Sequence, residues 1–262
     1  MSTEFDALSQ AGFTAGQSLL ITGGATAIGL IGIQVAKALG ASTVIATTTS
    51  EDKKQAILDA GADVAVNVST EDLVEAVLAA TDGNGVDVTL DHVGGEPFEQ
   101  LPGATKVQGV IVNIGRLSGT RSGIDLDQVS FRRQKLIGTT FSVRTPEELA
   151  AVCAAVQPDL TDALAEGRIK AVVDGIYDFD DHLAAATRLR SGETVGKLVL
   201  RVTDPETVDL EPAEVANFFG TIRQLGYVVA RPRRRDRALG FARGRPVVPH
   251  ERRPTGQLHL PR

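Results

Sequence analysis

The feature that most constrains the fold is a short apolar run, Leu19-Leu20-Ile21, which passes into the small residues 22–29 and then into an amphipathic stretch ending near Gly40. This order is typical of a buried strand, a tight turn and a helix. The same alternation of short apolar runs and longer amphipathic stretches continues to about residue 203. It predicts an α/β fold in which helices cover both faces of a parallel sheet.

Six strands with intervening helices are predicted in this region. The strands are expected at 18–22, 43–47, 64–66, 86–90, 107–113 and 135–140, and the helices between them at 27–39, 51–60, 70–81, 97–104 and 125–133. Later helices at 146–156 and 180–191 and a final strand at 197–202 complete the pattern. This number and order of elements favours a doubly wound parallel sheet of the Rossmann type, so we expect residues 1–203 to form one NAD(P)-binding domain.

The turn after the first strand has the residues needed to hold a pyrophosphate. Small side chains let the backbone approach the ligand, and the positive end of the following helix stabilises its charge. Gly23 is expected to form the tight turn, and Gly29 to let the helix pack close to the strand. The predicted cofactor-binding residues here are Gly23, Thr26, Ala27, Ile28 and Gly29. The alternative is a strand–helix turn without a ligand, and the βαβ context argues against it.

The end of the second strand indicates which nicotinamide cofactor is bound. NAD-specific sites usually carry an acidic residue there, bonded to the ribose 2′-hydroxyl. This strand ends instead in hydroxyl side chains, including Thr48 and Ser50, with Lys53 one helical turn later. Glu51 and Asp52 argue the other way, although acidic residues in the first turn of a helix also complement its dipole. The pattern predicts NADPH in preference to NADH, with a solvated surface charge as the alternative role for Lys53.

A second group of polar residues, Asp91-His92-Val93-Gly94, follows the fourth strand. Ligands bind at the carboxyl ends of the strands in such sheets, so we expect His92 or Val93 to line the adenine or ribose. An acidic residue beside a histidine also suggests a general base. Adjacent residues at a strand end point in opposite directions, however, and no nucleophile is identifiable, so no catalytic residue is assigned.

The charge distribution changes near residue 203. The net charge of −6 combines an acidic segment up to that point with residues 204–262, which carry 11 basic and 7 acidic side chains. Residues 211–225 predict one amphipathic helix, and the Arg- and Pro-rich residues beyond Tyr227 predict an irregular, disordered extension. An arginine cluster at 231–237 could attract phosphate groups or nucleic acid. Few aromatic residues accompany it, so nucleic acid is not the expected partner.

The remaining composition excludes several classes of protein. Cys153 is the only cysteine, which rules out an internal disulfide and a cysteine-rich zinc site, and its apolar neighbours predict a buried side chain. His250 and His259 lack the spacing of metal ligands, and no metal site is predicted. No apolar run approaches the roughly 20 residues of a membrane span, and the acidic N-terminus is unlike a signal peptide. We therefore expect a cytoplasmic protein.

Six segments in a fixed order resemble one family. They are Ile21-Thr-Gly-Gly-Ala-Thr-Ala-Ile-Gly29, Gln34-Val-Ala-Lys-Ala-Leu-Gly-Ala41, Ala60-Gly-Ala-Asp63, Gly85-Val-Asp-Val-Thr-Leu-Asp-His-Val-Gly-Gly95, Gly109-Val-Ile-Val-Asn-Ile-Gly115 and Gly192-Glu-Thr-Val-Gly-Lys-Leu-Val-Leu200. Over about residues 8–203 the chain resembles the zinc-independent quinone oxidoreductase branch of the medium-chain dehydrogenase/reductase superfamily. The resemblance implies an oxidoreductase that uses NADPH to reduce quinones or enones by hydride transfer, often as a homodimer. It also implies that Ile114, Gly115 and Arg116 approach the nicotinamide and that Phe141 lies on the loop after the sixth strand.

Three features depart from that family. Thr26 and Ala27 stand where the family usually has glycine, so a side chain is expected to crowd the pyrophosphate, and Val68 stands where relatives often carry a tyrosine. The chain also starts where the family's Rossmann half starts, so the N-terminal barrel-like domain and any zinc ligands in it are expected to be absent. Three hypotheses stay open: a reductase whose missing domain is supplied by a partner chain or homodimer, a non-catalytic NADPH-binding or interaction module, and an inactive truncated relative.

Overall fold

The computed structural model describes residues 1–201, which form eight α-helices and eight β-strands. In chain order the elements are α1 (Ser2–Ala11), β1 (Ser18–Ile21), α2 (Ala27–Ala38), β2 (Thr43–Thr48), α3 (Lys54–Asp59), β3 (Val64–Asn67), α4 (Leu73–Ala79), β4 (Val86–Asp91), α5 (Leu101–Ala104), β5 (Thr105–Asn113), α6 (Leu126–Arg132), β6 (Lys135–Gly138), α7 (Pro146–Ala165), β7 (Val173–Asp178), α8 (His182–Ser191) and β8 (Lys197–Arg201). Short 3₁₀ turns precede α3, α5 and α8, at Glu51–Lys53, Glu96–Gln100 and Phe179–Asp181. The predicted alternation of strands and helices is confirmed up to β6.

The first six strands form one parallel sheet in the order β3-β2-β1-β4-β5-β6. Ser18 of β1 lies opposite Thr43 of β2, and Leu19 lies opposite Val88 of β4, which fixes the register on both sides of β1. The strand order reverses between β1 and β4, and ligands of doubly wound sheets bind at this switch point. The predicted Rossmann-type fold class is therefore confirmed.

Both faces of the sheet are buried, which explains why its strands are apolar without interruption. Leu19 and Ile21 pack into a core that includes side chains of α1, α2 and α7. Leu20, between them, packs into a second core on the other face, with side chains of α4 and α5. Alternate residues of a strand point to opposite faces, so a continuous apolar run requires a helical layer on each side.

The first helix, α1, is not predicted from the sequence. Glu4 and Asp6 interrupt its apolar residues, which hides the helical period, yet residues 4–8 are all buried. The helix ends at Gly12, whose φ of 70° lies in the left-handed region that closes many helices. The two buried carboxylates of α1 therefore need partners inside the protein.

The helix α7 is longer than the sequence predicts. A helix is expected to end before Pro158, because proline lacks the amide that the helix needs. The packing of Val156 and Leu160, on either side of the proline, accounts for its continuation. Cys153 of α7 is exposed, so the prediction of a buried thiol is wrong. The helix turns Val156, Leu160 and Ala163 to the core instead.

The last described elements form a separate two-stranded sheet of β7 and β8, of which β7 is not predicted. Residues 1–175 and 186–199 form one compact unit, and residues 176–185 and 200–201 are the described part of a second. The candidate site lies entirely in the first unit. The predicted domain boundary at residue 203, the helix at 211–225 and the Arg-rich extension lie outside the described residues.

No helix within residues 1–201 has the length and apolar character needed to cross a membrane. The cytoplasmic location expected from the sequence stays a prediction.

Candidate functional site

The turn between β1 and α2 adopts a backbone path that requires glycine at two positions. Gly23 has a φ of 65°, which side chains rarely allow. A Cβ added to Gly29 would lie 2.7 Å from the Cα of Gly24 and would also strike the carbonyl oxygen of Gly23. The start of α2 thus touches the turn before it. Gly23 forms the tight turn expected of it, whereas Gly29 lets the helix pack on the turn and not, as expected, on the strand.

Thr26 caps α2 with its side chain. Its hydroxyl donates to the carbonyl oxygen of Gly23 at 2.7 Å and accepts from the amide of Gly29 at 3.1 Å. This is the usual N-cap arrangement, in which a hydroxyl satisfies one of the amides left free at a helix start. The hydroxyl that was expected to crowd a pyrophosphate is therefore bonded within the turn. Ala27 and Ile28 follow in the first turn of the helix.

The same turn is bonded to the neighbouring strand β2. The amide of Gly24 donates to the carbonyl oxygen of Thr47 at 2.7 Å. The amide of Gly23 donates to the hydroxyl of Thr47 at 3.1 Å. Because Thr47 is buried and bonded in this way, its hydroxyl serves the turn itself.

Asp91, at the end of β4, joins the strand ends at the switch point. Its buried carboxylate accepts from the hydroxyl of Thr22 at 2.8 Å and from the side-chain amide of Asn113 at 2.7 Å. It also accepts from the backbone amides of Val93 and Gly94, each at 3.1 Å. A carboxylate removed from water is stable when its oxygens accept several such bonds. Asp91 therefore holds β1, β4 and β5 together and is not a free base.

His92 points to the other side of β4, as adjacent strand residues do. Its ring is buried, with Nδ1 2.8 Å from the carbonyl oxygen of Thr22 and Nε2 3.0 Å from Oε1 of Glu4 in α1. Burial alone would lower the pKa of His92, but the Glu4 carboxylate, the bond to Thr22 and the charge of Asp91 together raise that pKa above its ordinary value. The sequence predicts that this residue lines the adenine or ribose; the structure encloses its imidazole in protein instead.

The loop after β5 is fastened to the same strand end. The amides of Ile114 and Gly115 both donate to the carbonyl oxygen of Asp91, at 2.7 and 3.0 Å. A Cβ on Gly115 would overlap the carbonyl oxygen of His92, so only glycine fits there. Val93, which follows His92, lies beside the glycine turn: one of its methyl carbons is 3.4 Å from the position that a Cβ on Gly23 would take. Val93, Ile114 and Gly115 thus lie at the same end of the sheet as the glycine turn.

The residues at the end of β2 make local contacts. The amide of Ser50 donates to the hydroxyl of Thr48 at 3.2 Å. The ammonium of Lys53 donates to the carbonyl oxygens of Thr194, at 3.0 Å, and of Gly192. Glu51 accepts from the side-chain amide of Asn67 at 3.2 Å. Lys53 is therefore held by a distant part of the chain and is not a freely solvated charge.

That distant part, residues 192–196, lies against the glycine turn and is not among the predicted site residues. The amide of Gly196 donates to the carbonyl oxygen of Ala25 at 3.1 Å, and Gly196 forms an isolated parallel bridge with Thr26. Gly196 has a φ of 80°, and a Cβ there would overlap the carbonyl oxygen of Val172. The segment is part of one of the six segments that carry the family resemblance, and the glycines at its two ends are the signal that could have pointed to a role at the turn.

Phe141 lies on the loop after β6, as expected from the resemblance. The guanidinium of Arg144 stands over its ring, 4.6 Å from the centroid. Arg144 also forms a two-pronged ion pair with Asp6 of α1, with N–O distances of 3.0 and 2.5 Å. The aromatic ring is therefore tied to α1 through one arginine.

Of the thirteen predicted site residues, His92 is enclosed in protein and Phe141 lies on the loop after β6, and the other eleven fall into two groups. One surrounds the glycine turn and the ends of β4 and β5: Gly23, Thr26, Ala27, Ile28, Gly29, Val93, Ile114 and Gly115. The other follows β2 and comprises Thr48, Ser50 and Lys53. Sequence reasoning misses the supporting residues Glu4, Asp6 and Arg144 and the segment 192–196, because each acts through contacts between distant parts of the chain.

A glycine-dependent turn at the switch point of a doubly wound sheet defines the class of dinucleotide-binding Rossmann domains. Comparison with known families goes one step further, since the family described as zinc-binding dehydrogenase matches residues 27–157, half of the chain. The chain belongs to this family. Its relatives place it with the quinone oxidoreductase branch of the medium-chain dehydrogenase/reductases, which confirms the resemblance seen in the sequence.

The relatives include two kinds of curated enzyme. An L-threonine 3-dehydrogenase of Pyrococcus furiosus is 41% identical over 132 residues, which are 50% of this chain and 37% of that protein. Quinone oxidoreductase 1 of Escherichia coli is 33% identical over 190 residues, 70% of this chain and 56% of that protein. The crystal structure of the Escherichia coli quinone oxidoreductase complexed with NADPH matches with a TM-score of 0.64 at 28% identity, covering 76% of this chain and 63% of that one. The chain spans about half the length of these curated relatives, or less.

Within residues 1–201, no group of three or more His, Cys, Asp or Glu side chains is placed to hold a metal ion.

Proposed function

We propose that this chain binds NADPH and acts as a zinc-independent, NADPH-dependent reductase of quinones or enones. The observation that carries the proposal is the glycine-dependent turn at the switch point, with the start of α2 directed to the same edge of the sheet. The NADPH complex of the Escherichia coli quinone oxidoreductase, whose fold this chain shares, supports it. Among the residues described, Gly29 lets the start of α2 pack directly on the turn, which brings the positive end of the helix to the place where a pyrophosphate would bind.

The pyrophosphate would lie against the first turn of α2. Ala27 and Ile28 stand there, at the positive end of a 12-residue helix, where the amides lack partners within the helix. Thr26 holds the helix start by its cap. Asp91 keeps the strand ends fixed, so that the site needs little rearrangement when the anion binds.

The nicotinamide would lie beyond Val93, on the side of Ile114, Gly115 and Phe141. When bound, the cofactor would supply the hydride, and the anion that a quinone or enone forms on accepting it would take its proton from solvent or a nearby group, so little acid–base machinery is needed from the protein. The task of the chain is then to position the two reactants. The carbonyl oxygen of Asp91 orients the amides of Ile114 and Gly115, and Arg144 restrains the ring of Phe141.

Lys53 supports the choice of NADPH over NADH. Its ammonium stands at the end of β2, where the 2′-substituent of the adenosine ribose lies in Rossmann domains. The nearby Glu51 carboxylate is engaged by Asn67 and lies 3.5 Å from the ammonium of Lys54. A bound 2′-phosphate would replace the neutral carbonyl oxygens as the hydrogen-bond acceptor of Lys53. An anionic acceptor makes a stronger hydrogen bond with an ammonium group than a carbonyl oxygen does.

Calorimetric titration of the full chain with NADPH and with NADH tests this role. Replacing Lys53 with Gln should weaken NADPH binding by about tenfold, the value of one charge-assisted contact near the surface, and leave NADH binding within about twofold. Lys37→Gln is the matched control, since Lys37 pairs with Asp63 at the last turn of α2, away from the end of β2, and its loss should leave both affinities unchanged. An equal loss for both nucleotides in Lys53→Gln would refute the assignment to the 2′-phosphate.

Activity is tested on the same protein sample by adding a simple quinone and following the oxidation of NADPH. Oxidation that depends on the quinone supports the reductase. Binding without oxidation would favour the non-catalytic NADPH-binding module instead, and a chain that binds neither nucleotide would fit the inactive relative. The assay is repeated over a range of protein concentrations, because a homodimer or a partner chain could complete the substrate cleft.

A further inference from the structure

Glu4 and His92 form a buried pair that the proposed hydride transfer does not use. Their side chains are 0% and 2% exposed, and Oε1 lies 3.0 Å from Nε2. Glu4 belongs to α1, whereas His92 follows β4 at the switch point, so the contact joins residues 88 positions apart. Because water cannot reach them, the charge on each of these two ionisable groups must be balanced by the other.

The hydrogen-bond partners of the ring fix the number of protons that the pair holds. Nδ1 faces the carbonyl oxygen of Thr22, which can only accept, so Nδ1 carries a hydrogen. Nε2 faces a carboxyl oxygen of Glu4, and this contact is attractive only with a proton between the two atoms. A cationic ring beside a carboxylate and a neutral ring beside a carboxylic acid both satisfy this requirement. Either way, the pair retains one enclosed proton.

The surroundings make loss of that proton costly. Oε2 of Glu4 has no hydrogen-bond partner among residues 1–201 and lies against Gly32, where a Cβ would come within 2.7 Å of it. The other charged groups acting here are Asp91, which favours the cationic ring, and the Met1 amine beside Glu4, itself influenced by Lys197. Without the shared proton, a buried carboxylate would face a nitrogen lone pair.

We propose that Glu4 and His92 form a proton-dependent latch that fastens α1 to the phosphate-binding turn. Thr22, which holds the ring through its carbonyl oxygen, directly precedes Gly23. Its hydroxyl accepts from the amide of His92 at 2.9 Å and donates to Asp91. Losing the shared proton replaces the attraction between α1 and His92 by repulsion, which loosens α1 and the entry to the turn. The effect on nucleotide affinity rests on the proposed function, whereas the effect on stability does not.

The direction of the pH effect follows from the raised pKa of His92. Burial lowers this pKa, but Glu4, the bond to Thr22 and Asp91 together raise it above the ordinary value of 6.5. A group with a raised pKa contributes stability that is complete below its ordinary pKa and disappears as the pH rises through the folded-state pKa. The latch therefore opens on the alkaline side.

The pH dependence of unfolding, measured on the full chain and on Glu4→Gln, tests the latch. Glutamine can donate an amide N–H to Nε2 of a neutral ring, so it keeps the contact without the shared proton. The unfolding equilibrium constant of the wild type should rise above neutral pH by up to about tenfold per pH unit, the slope for one linked proton, and Glu4→Gln should lack this rise. Glu75→Gln, at an exposed carboxylate of α4, is the control and should follow the wild type. Superimposable profiles of Glu4→Gln and the wild type would overturn the proposal.

Proton NMR of the wild type gives an answer even if Glu4→Gln fails to fold. The chain has four histidines, and the spectrum of His92→Gln identifies the signal of this ring. A slowly exchanging downfield proton should be present at neutral pH and vanish on the alkaline side; its absence at neutral pH would refute the latch. NADPH affinity, measured in the same buffers, should fall with pH in the wild type and stay constant in Glu4→Gln. A chain that binds no nucleotide at any pH would refute the proposed function and leave the stability comparison intact.

Discussion

At the scale of single residues, one hydrogen atom in place of a side chain decides whether the glycine turn can form. A Cβ on Gly29 would lie 2.7 Å from the Cα of Gly24 and 2.8 Å from its carbonyl oxygen, and backbone cannot move aside as a flexible side chain can. We expect Gly29→Ala to lower the free energy of unfolding by about 1–3 kcal/mol and to weaken NADPH binding by about tenfold or more. Denaturant unfolding and calorimetry measure the two effects.

Gly138, in β6, provides the control for that substitution. A Cβ there would meet nothing within 4 Å, so Gly138→Ala should leave both quantities unchanged. Similar losses in the two variants would show that glycine content, and not the close approach at Gly29, is responsible.

The sequence reveals the residues of the site unevenly. Gly23 and Gly29 can be predicted, because small residues between an apolar strand and a helix indicate a close backbone approach. The bond between Asp91 and Thr22 cannot, since the two residues are 69 positions apart and the local pattern around each does not show that they pair. Lys53 is recognised as a cation, but the carbonyl groups that hold it are 139 and 141 positions away.

At the scale of elements, prediction succeeds where one periodicity dominates the sequence. The strands β1 to β6 can be predicted because continuous apolar runs bounded by polar residues have few other interpretations. The helix α1 is missed, because Glu4 and Asp6 are buried against partners from later in the chain. The full length of α7 is missed because core packing stabilises the helix beyond Pro158, which a local pattern does not show.

The attachment of α1 to the Phe141 loop gives a prediction at this scale. Arg144 contacts both oxygens of Asp6, and the two side chains are 17% and 11% exposed. Lysine cannot reproduce the two-pronged geometry, so Arg144→Lys should lower the free energy of unfolding by about 1–2 kcal/mol, measured by urea denaturation. Arg168→Lys is the matched control in an exposed pair with Glu166 and should cost less than about 0.5 kcal/mol. Equal effects would mean that the partly buried pair does not fasten α1.

At the scale of the whole molecule, β6 is one of the two edge strands of the parallel sheet formed within residues 1–201. Leu136 of this strand is 40% exposed, and Phe131, on the preceding helix α6, is 83% exposed. Unpaired backbone groups and apolar side chains at a sheet edge favour association with another strand. We expect the chain to self-associate through this edge, and Phe131→Glu to shift sedimentation toward the monomer. Leu183→Glu, at another exposed leucine, on α8, is the control; a wild type that sediments as a monomer at all concentrations would contradict the expectation.

The contact between Gly196 and Ala25 also bears on how the molecule is made. It pairs two segments separated by most of the described chain. During synthesis the first turn leaves the ribosome long before its partner exists, so β1 and α2 must wait for residue 196 before their surroundings are complete. Contacts so distant in sequence slow folding, since the chain must close a large loop before it gains their stabilisation. A nascent chain halted before this residue should therefore be more easily cleaved by proteases at the turn than one released after it.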